Sequence, residues 1–260
     1  MKVVLFCGGF GTRLREFSET IPKPMVNIGN RPILWHLMKY YAHYGHKDFI
    51  LCLGYGGDTI REFFLKYDEC MSNDFTLSRG GKDIRLFGND IQDWTVTFVD
   101  TGIRSNIAQR LLAVRKHLDD DDVFLANYSD GLSDLPLDRH IEKLLATDAV
   151  AAFVGVHPAQ SLSGIQTDES GFVTRIEYLS SSDVRINGGF FVLRKEVFDY
   201  VQPGEELVEA PFQRLILERR LIAYNYDGFW AAMDTFKDKK RFDDMVDKGE
   251  TPWRVWDRNG

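Results

Sequence analysis

The order of apolar runs along the chain predicts an α/β protein, with a mainly parallel sheet, helices on its faces and β-hairpins projecting from it. Three observations carry this. Short apolar runs such as "KVVLFC" (2–7) and "DFILCLG" (48–54) alternate with amphipathic stretches of helical spacing. The run "AVAAFVGV" (149–156) is apolar throughout, as a central strand covered on both faces requires. Residues 75–99 instead alternate and are broken by Gly-Gly and Gly-Asn, which reads as hairpins.

Taken in order, the first strand is β-branched and ends abruptly in glycine. The stretch 31–45 has Ile33, Leu34, Leu37, Met38 and Tyr41 at helical spacing and stops at Gly45. After the second strand, "DTIREFFLKY" (58–67) is a helix that Asp58 could cap, and 105–118 is another, capped by Ser105 or Asn106. "DVFLANYSDG" (122–131) is a strand ending in an acidic turn, and "LDRHIEKLLAT" (137–147) a helix. The last third mixes a hairpin (164–179), the strand "INGGFFVL" (186–193) and two helices. It closes in "TPWRVW" (251–256), whose tryptophans are expected to anchor the tail on the core. No repeat or long linker divides the chain, so residues 1–260 are expected to form one domain with portions of about 1–150 and 151–260.

With 260 residues, 44% hydrophobic and 27% charged, the composition is that of an ordinary globular protein. A net charge of -7 argues against a chain built to coat nucleic acid or an anionic membrane, though not against binding one nucleotide. Cys7, Cys52 and Cys70 have no CxxC spacing and suit free thiols in a reducing cytoplasm. No signal-peptide pattern and no run of roughly 20 apolar residues is present, so a cytoplasmic protein is expected.

"FCGGFGTRL" (6–14), placed between a strand and a helix, aims backbone N–H groups at an anion. The dinucleotide pattern GxGxxG fails, because its third glycine falls on Leu14 and the next strand ends in Leu-Gly instead of an acidic residue. The P-loop pattern is also absent. What remains is GGxGTR followed by "PKPM" ten residues on from Arg13. Gly8, Gly9 and Gly11 let phosphates come close, and Arg13 and Lys23 add fixed positive charge. A tight turn with solvated cations is the plainer reading of the glycines alone.

These pieces, with "PKPMVNIGNRPILWHLMKYY", "VTFVDTG", "INGGFFVL", "GFWAAMDTFKDK" and "PWRVW", resemble the sugar-1-phosphate nucleotidyltransferases over nearly the whole chain. The resemblance is closest to the bacterial glucose-1-phosphate cytidylyltransferases. It implies the nucleotide-diphospho-sugar transferase fold, a Rossmann-like, doubly wound, mainly parallel mixed sheet. It also implies a reaction in which a sugar 1-phosphate attacks the α-phosphorus of a nucleoside triphosphate and pyrophosphate leaves. CTP and glucose 1-phosphate, or a modified sugar, are the leading pair. Mg²⁺ is the implied cofactor and a homo-oligomer the implied assembly, with the hairpin region 75–99 as the natural subunit contact.

The resemblance assigns Asp130 of "YSDG" and Asp234 of "WAAMDT" to the metal, although Asp-Gly turn formation and helix capping are plainer readings of each. Arg13, Lys23 and Asp130 form the catalytic set. Leu5, Cys7, Gly8, Gly9, Gly11, Thr12, Arg13 and Arg110 fall on the nucleotide side, where Arg110 could equally be one more exposed cation. Gly164, Glu177, Asn187 and Gly188 fall on the sugar side. There the chain departs from the pattern: the lysine that binds the sugar phosphate is replaced by Tyr178, with Leu179 next. Ile21, Cys7, Ser163 and Ala210 are further departures, and Arg15, Arg104 and Arg185 are new cations. Arg185, two residues before Asn187, could clamp the sugar phosphate or be surface charge. Transfer with UTP, dTTP or GTP, and a non-catalytic nucleotide-sugar sensor, are the rival functions; an NAD-dependent dehydrogenase fails at Leu14.

Overall fold

The computed structural model describes residues 1–9, 21–88, 90–158, 163–179 and 182–257. Its strands are β1 (Val3–Phe6), β2 (Asn27–Ile28), β3 (Arg31–Pro32), β4 (Asp48–Leu53), β5 (Phe75–Ser78), β6 (Asp83–Leu86), β7 (Thr95–Asp100) and β8 (Val123–Tyr128). They continue with β9 (Gly131–Ser133), β10 (Ala151–Val156), β11 (Ser163–Thr167), β12 (Val173–Tyr178), β13 (Ile186–Asn187), β14 (Phe191–Arg194), β15 (Leu221–Tyr226) and β16 (Trp230–Ala232). The described α-helices are α1 (Ile33–His43), α2 (Gly57–Leu65), α3 (Ile107–Val114), α4 (Leu137–Leu145), α5 (Ala210–Leu217) and α6 (Phe236–Asp247).

Eight strands make one mixed sheet. Along it lie β7, β4, β1 and β8, all parallel, then antiparallel β14, then β10, which carries β15 parallel on its outer edge. β13 and β14 both pair with β10, and the register slips between them at Gly188–Phe190. The strand expected as one piece over 186–193 is therefore two, hinged where Gly189 (φ +75°) and Phe190 (φ +50°) are left-handed. A Cβ on Gly189 would lie 2.3 Å from the Asn127 Oδ1, which accepts the Phe190 N–H at 2.9 Å. The kink is thus stapled to β8, beside the acidic turn.

The alternation along β1 explains the two layers. Val3 and Leu5 join one buried cluster with α1, α4 and Trp253, while Val4 and Phe6 join the other with α3 and α5. Phe49, Leu51 and Leu53 of β4 repeat the first pattern, Ile50 and Cys52 the second. Helices on both faces of a mainly parallel sheet are the doubly wound arrangement that the sequence implied, and β10 is paired on both edges as its apolar run required. Cys7 and Cys52 are buried free thiols and Cys70 is a free, half-buried one.

Two local readings differ, and a third is settled between its alternatives. The segment 75–99 gives one hairpin, β5–β6, but its last strand, β7, joins the main sheet in parallel with β4. Trp94, whose ring centroid lies 5.0 Å from that of Phe49, and the Thr95 N–H donated to the Lys47 carbonyl at 2.9 Å lead the chain back to the sheet edge. Alternation alone could not distinguish these partners. Asp58 does not cap α2: Gly56, left-handed at φ +67°, takes that place, and Asp58 pairs with Arg61 at 2.7 Å. At α3 the cap is Asn106, in a capping box with Gln109.

The tail is anchored as expected. Trp253 is fully buried against Phe242 and Phe229, and Trp256 meets Trp35 edge-on. The Trp253 indole N–H points at His36 Nδ1 (3.4 Å) while His36 Nε2 faces the Ile28 carbonyl (3.0 Å), an environment that suits the neutral imidazole protonated on Nε2. Burial pushes His36 down to about 4, and burial likewise lowers His140, against the Phe190 carbonyl, to about 4. An unfolded histidine titrates near 6.5. Between those values the unfolded chain binds more protons, so stability falls as pH drops from about 6.5 to about 4. The unfolding free energy from urea titration is expected to be lower at pH 5 than at pH 7 by up to about 2 kcal/mol for each histidine; no change across that window would contradict the neutral-histidine account.

Candidate active site

The carboxyl ends of β1 and β8 open into a cavity of about 330 Å³. It is lined by Phe6, Gly8 and Gly9 from the end of β1, Tyr128, Ser129 and Asp130 from the end of β8, and Lys23 with Pro24. The entry to α3, the loop residue Glu206, and Asp234 complete it. Ligands of open α/β sheets bind at this edge, where strand ends diverge.

Two aspartates meet there because two short strands pair. β9 follows Asp130 directly and runs antiparallel to β16 with Gly131 opposite Ala232. One step further, the Met233 N–H donates to the Asp130 carbonyl at 2.9 Å, which sets Asp234 beside Asp130. Thr235 caps α6 reciprocally with Asp238, so capping is done without the Asp234 carboxylate. The Lys23 ammonium donates to Asp130 Oδ2 at 2.6 Å and to Asp234 Oδ1 at 2.7 Å. Burial works to lower the Lys23 pKa, but the charges and hydrogen bonds of Asp130 and Asp234 outweigh it and leave it raised. Lys23 is therefore an ammonium at neutral pH.

That geometry tests whether a divalent cation fits. Two carboxylates already share one positive point, and without a cation between them they would repel. Among the described residues no group of three or more His, Cys, Asp or Glu converges as a metal-binding set. A metal on Asp130 and Asp234 would thus complete its shell with substrate oxygens or water, the usual habit of Mg²⁺ at phosphates. The residues fit.

Gly8 and Gly9 differ in what they do. A Cβ on Gly8 would lie 2.0 Å from the Arg110 guanidinium, and one on Gly54 would lie 2.8 Å from the Gly8 carbonyl. Arg110 is buried and donates to the Gly8 carbonyl (2.7 Å), the Leu53 carbonyl (3.1 Å) and Thr101 Oγ1 (2.7 Å). It is not an exposed cation: it ties the ends of β1, β4 and β7 together beneath the cavity. A Cβ on Gly9 would meet nothing within 4 Å. Among the described residues no neighbour requires glycine at 9, whereas a ligand backing onto this cavity wall would.

Of the other nucleotide-side residues, Leu5 is buried mid-strand and Cys7 sits behind the wall, its thiol pushed up to about 12 by burial. Neither side chain lines the cavity. Gly11, Thr12 and Arg13 lie outside the described residues, as does Arg15. On the sugar side, Gly164 faces Glu177 across the β11–β12 hairpin, and Glu177 is paired with Arg175 at 2.6 Å. Tyr178, opposite Ser163, is largely exposed. Asn187 accepts the Gly189 N–H at 2.9 Å and does not line the cavity. Gly188 packs against Trp230, whose indole donates to its carbonyl at 2.8 Å. Arg185 donates to Asp227 (2.7 Å) and to the Gly155 and Tyr226 carbonyls, and does not line the cavity.

The structure thus brings Lys23, Asp130, Asp234, Gly8, Gly9 and Arg110 to one cavity. Tyr128, Ser129, Asn106 and Glu206 join them without having been singled out for it. Ser129 was legible within "YSDG" and Asn106 as a cap; nothing in the sequence marked Glu206.

A sequence model described as nucleotidyl transferase matches residues 2–231. The chain belongs to the nucleotidyl transferase family. It is 38% identical to the glucose-1-phosphate cytidylyltransferase of Salmonella typhi over 99% of this chain and all of that protein. The glucose-1-phosphate cytidylyltransferase of Salmonella typhimurium matches with the same identity and coverage. Among solved structures, HddC from Yersinia pseudotuberculosis superposes with a TM-score of 0.65 at 21% identity, covering 94% of this chain and 99% of that one, and supports the shared fold.

The two glycines separate by substitution. Gly8→Ala is expected to displace Arg110 and lower stability by about 1–3 kcal/mol. Gly9→Ala is expected to leave stability within about 0.5 kcal/mol while weakening nucleoside triphosphate binding about tenfold. Urea unfolding and calorimetric titration of both variants read these out; equal stability loss in the two would contradict the distinction.

Proposed function

We propose that the chain joins CTP to α-D-glucose 1-phosphate or a closely related sugar 1-phosphate, releasing pyrophosphate. The observation that carries this is Lys23 held between Asp130 and Asp234 at the rim of a glycine-walled cavity. The cytidylyltransferases similar to this chain supply the substrate pair.

In the reaction an oxygen of the sugar 1-phosphate bonds to the α-phosphorus of the triphosphate. The bond from that phosphorus to the bridging oxygen breaks, and pyrophosphate leaves with the electron pair. The protein's share is positioning and charge neutralisation. Asp130 and Asp234 would hold Mg²⁺, which supplies positive charge against the phosphates. Lys23 adds a permanent ammonium at the same place, and Gly9 leaves its wall open to close approach. Arg13, from "GGFGTRL", would hold the triphosphate. Glu177 and Asn187 would meet the sugar. With Tyr178 in place of a lysine, the sugar phosphate would lean on Lys23 and Arg13, because Arg185 is engaged by Asp227.

The molecule is proposed to act as one domain over residues 1–260, in a reducing compartment such as the cytoplasm, where its three thiols stay reduced. No helix among the described residues is long and apolar enough to cross a membrane. The β5–β6 hairpin exposes Phe75, Leu77 and Ile84, an apolar surface that supports self-association.

Purified protein with Mg²⁺ is to be offered each of CTP, UTP, dTTP, GTP and ATP with a panel of sugar 1-phosphates, and pyrophosphate release measured. Fastest release with CTP and glucose 1-phosphate is expected. Release with another pair would revise the substrates, and none with any pair would remove the transferase reading. Lys23→Met is expected to lower kcat/KM by about 10²–10³ in the same assay, and a smaller effect would displace Lys23 from its role.

A further inference from the structure

Resting on the nucleotidyl-transfer reading of the cavity, we propose that Glu206 is the acceptor that reads the nucleoside, taking a hydrogen bond from an N–H or O–H donor of the bound nucleotide and so setting nucleotide preference.

Glu205 and Glu206 are adjacent but divide their tasks. Glu205 grips Arg214 with both carboxylate oxygens, one contact at 2.7 Å, and its carbonyl accepts the Asn106 side-chain amide at 2.8 Å. This pins the loop to the start of α3. Glu206 then turns inward and lines the cavity. Its Oε1 accepts its neighbour Leu207 N–H at 2.9 Å, and its Oε2 accepts the Ile107 N–H, in the first turn of α3, at 3.4 Å. Those two contacts leave acceptor sites on the carboxylate for a ligand. The α3 N-terminus favours the negative charge there. Tyr128, across the cavity, registers it: burial first and the Glu206 charge next raise the phenol to about 12.

Position selects the nucleoside over the phosphates. Phosphate belongs to the corner where the Lys23 ammonium lies and where Asp130 and Asp234 would hold a divalent cation, and a carboxylate elsewhere on the wall would repel it. Glu206 meets the first turn of α3, which follows β7, packs over β4 and β1 and carries Arg110, on elements other than those that hold Lys23, Asp130 and Asp234. A carboxylate only accepts, so the ligand group against it must donate. A nucleoside offers two such groups, an exocyclic base amine (cytosine has one where uracil has a carbonyl) and the ribose hydroxyls.

The test compares kcat/KM for CTP, UTP and 2′-deoxy-CTP, each with glucose 1-phosphate, in the wild type, Glu206→Gln and Glu206→Ala. The alanine variant removes the acceptor where a rotated glutamine amide could mimic it. Wild-type turnover of CTP secures the reaction, and its absence would remove the transferase reading independently of Glu206. A hydrogen bond to a charged group changes affinity roughly ten- to a hundredfold. A fall of that size in the CTP/UTP ratio in the variants assigns Glu206 to the base amine, and a fall in the CTP/2′-deoxy-CTP ratio assigns it to the ribose. Glu205→Gln should lower thermal stability and leave both ratios where they were. Calorimetric Kd values for CTP and UTP give the same comparison without turnover. Both ratios within about twofold of wild type in folded Glu206→Gln and Glu206→Ala would overturn the proposal.

Discussion

Asp130 and Asp234 carry the same charge and are forced together, by the β9–β16 pairing and the hydrogen bond from Met233 to the Asp130 carbonyl. Like charges at close range repel unless a proton or a cation lies between them. Lys23 supplies one at 2.6 and 2.7 Å. Three distant parts of the chain are thereby committed to one corner: the turn after β8, the segment before α6 and the Lys23–Pro24 stretch. A substrate made of phosphates suits that corner, since it brings further negative charge to a place already built to gather positive charge.

The opposite side of the cavity rests on Arg110. Its three hydrogen bonds join the ends of β1, β4 and β7, and Gly8 lies so close that no Cβ fits. The guanidinium stabilises the platform from below, and α3, from which it projects, also offers its first turn to Glu206. The glycine-rich motif therefore contains two different demands. Gly8 answers an internal one, the fit of Arg110; Gly9 answers no neighbour among the described residues, which suits the proposed close approach of a ligand.

The sugar side is built from other material. Glu177 and Tyr178 stand on a two-stranded hairpin, while Asn187 and Gly188 lie on the strand that kinks beside β8. Tyr178 places an uncharged side chain on that hairpin, and Arg185 is held by Asp227.

How much of this was legible follows from the range of the forces involved. The alternation of Val3, Val4, Leu5 and Phe6, the apolar run at 149–156 and the Asn106 cap are local signals, because burial on two faces and satisfaction of helix-end N–H groups act over a few residues. They determined the layered fold. The pairing of motifs pointed to the family, and Lys23, Asp130 and Asp234 followed from it as the proposed site. Only the tertiary structure decided that β7 pairs with β4, that Arg110 is a buried tie, that Arg185 is bound to Asp227 and that Glu206 faces the cavity. Each of those depends on a partner far along the chain, and a carboxylate or guanidinium has the same local sequence signature whether it meets solvent, an opposite charge or a ligand.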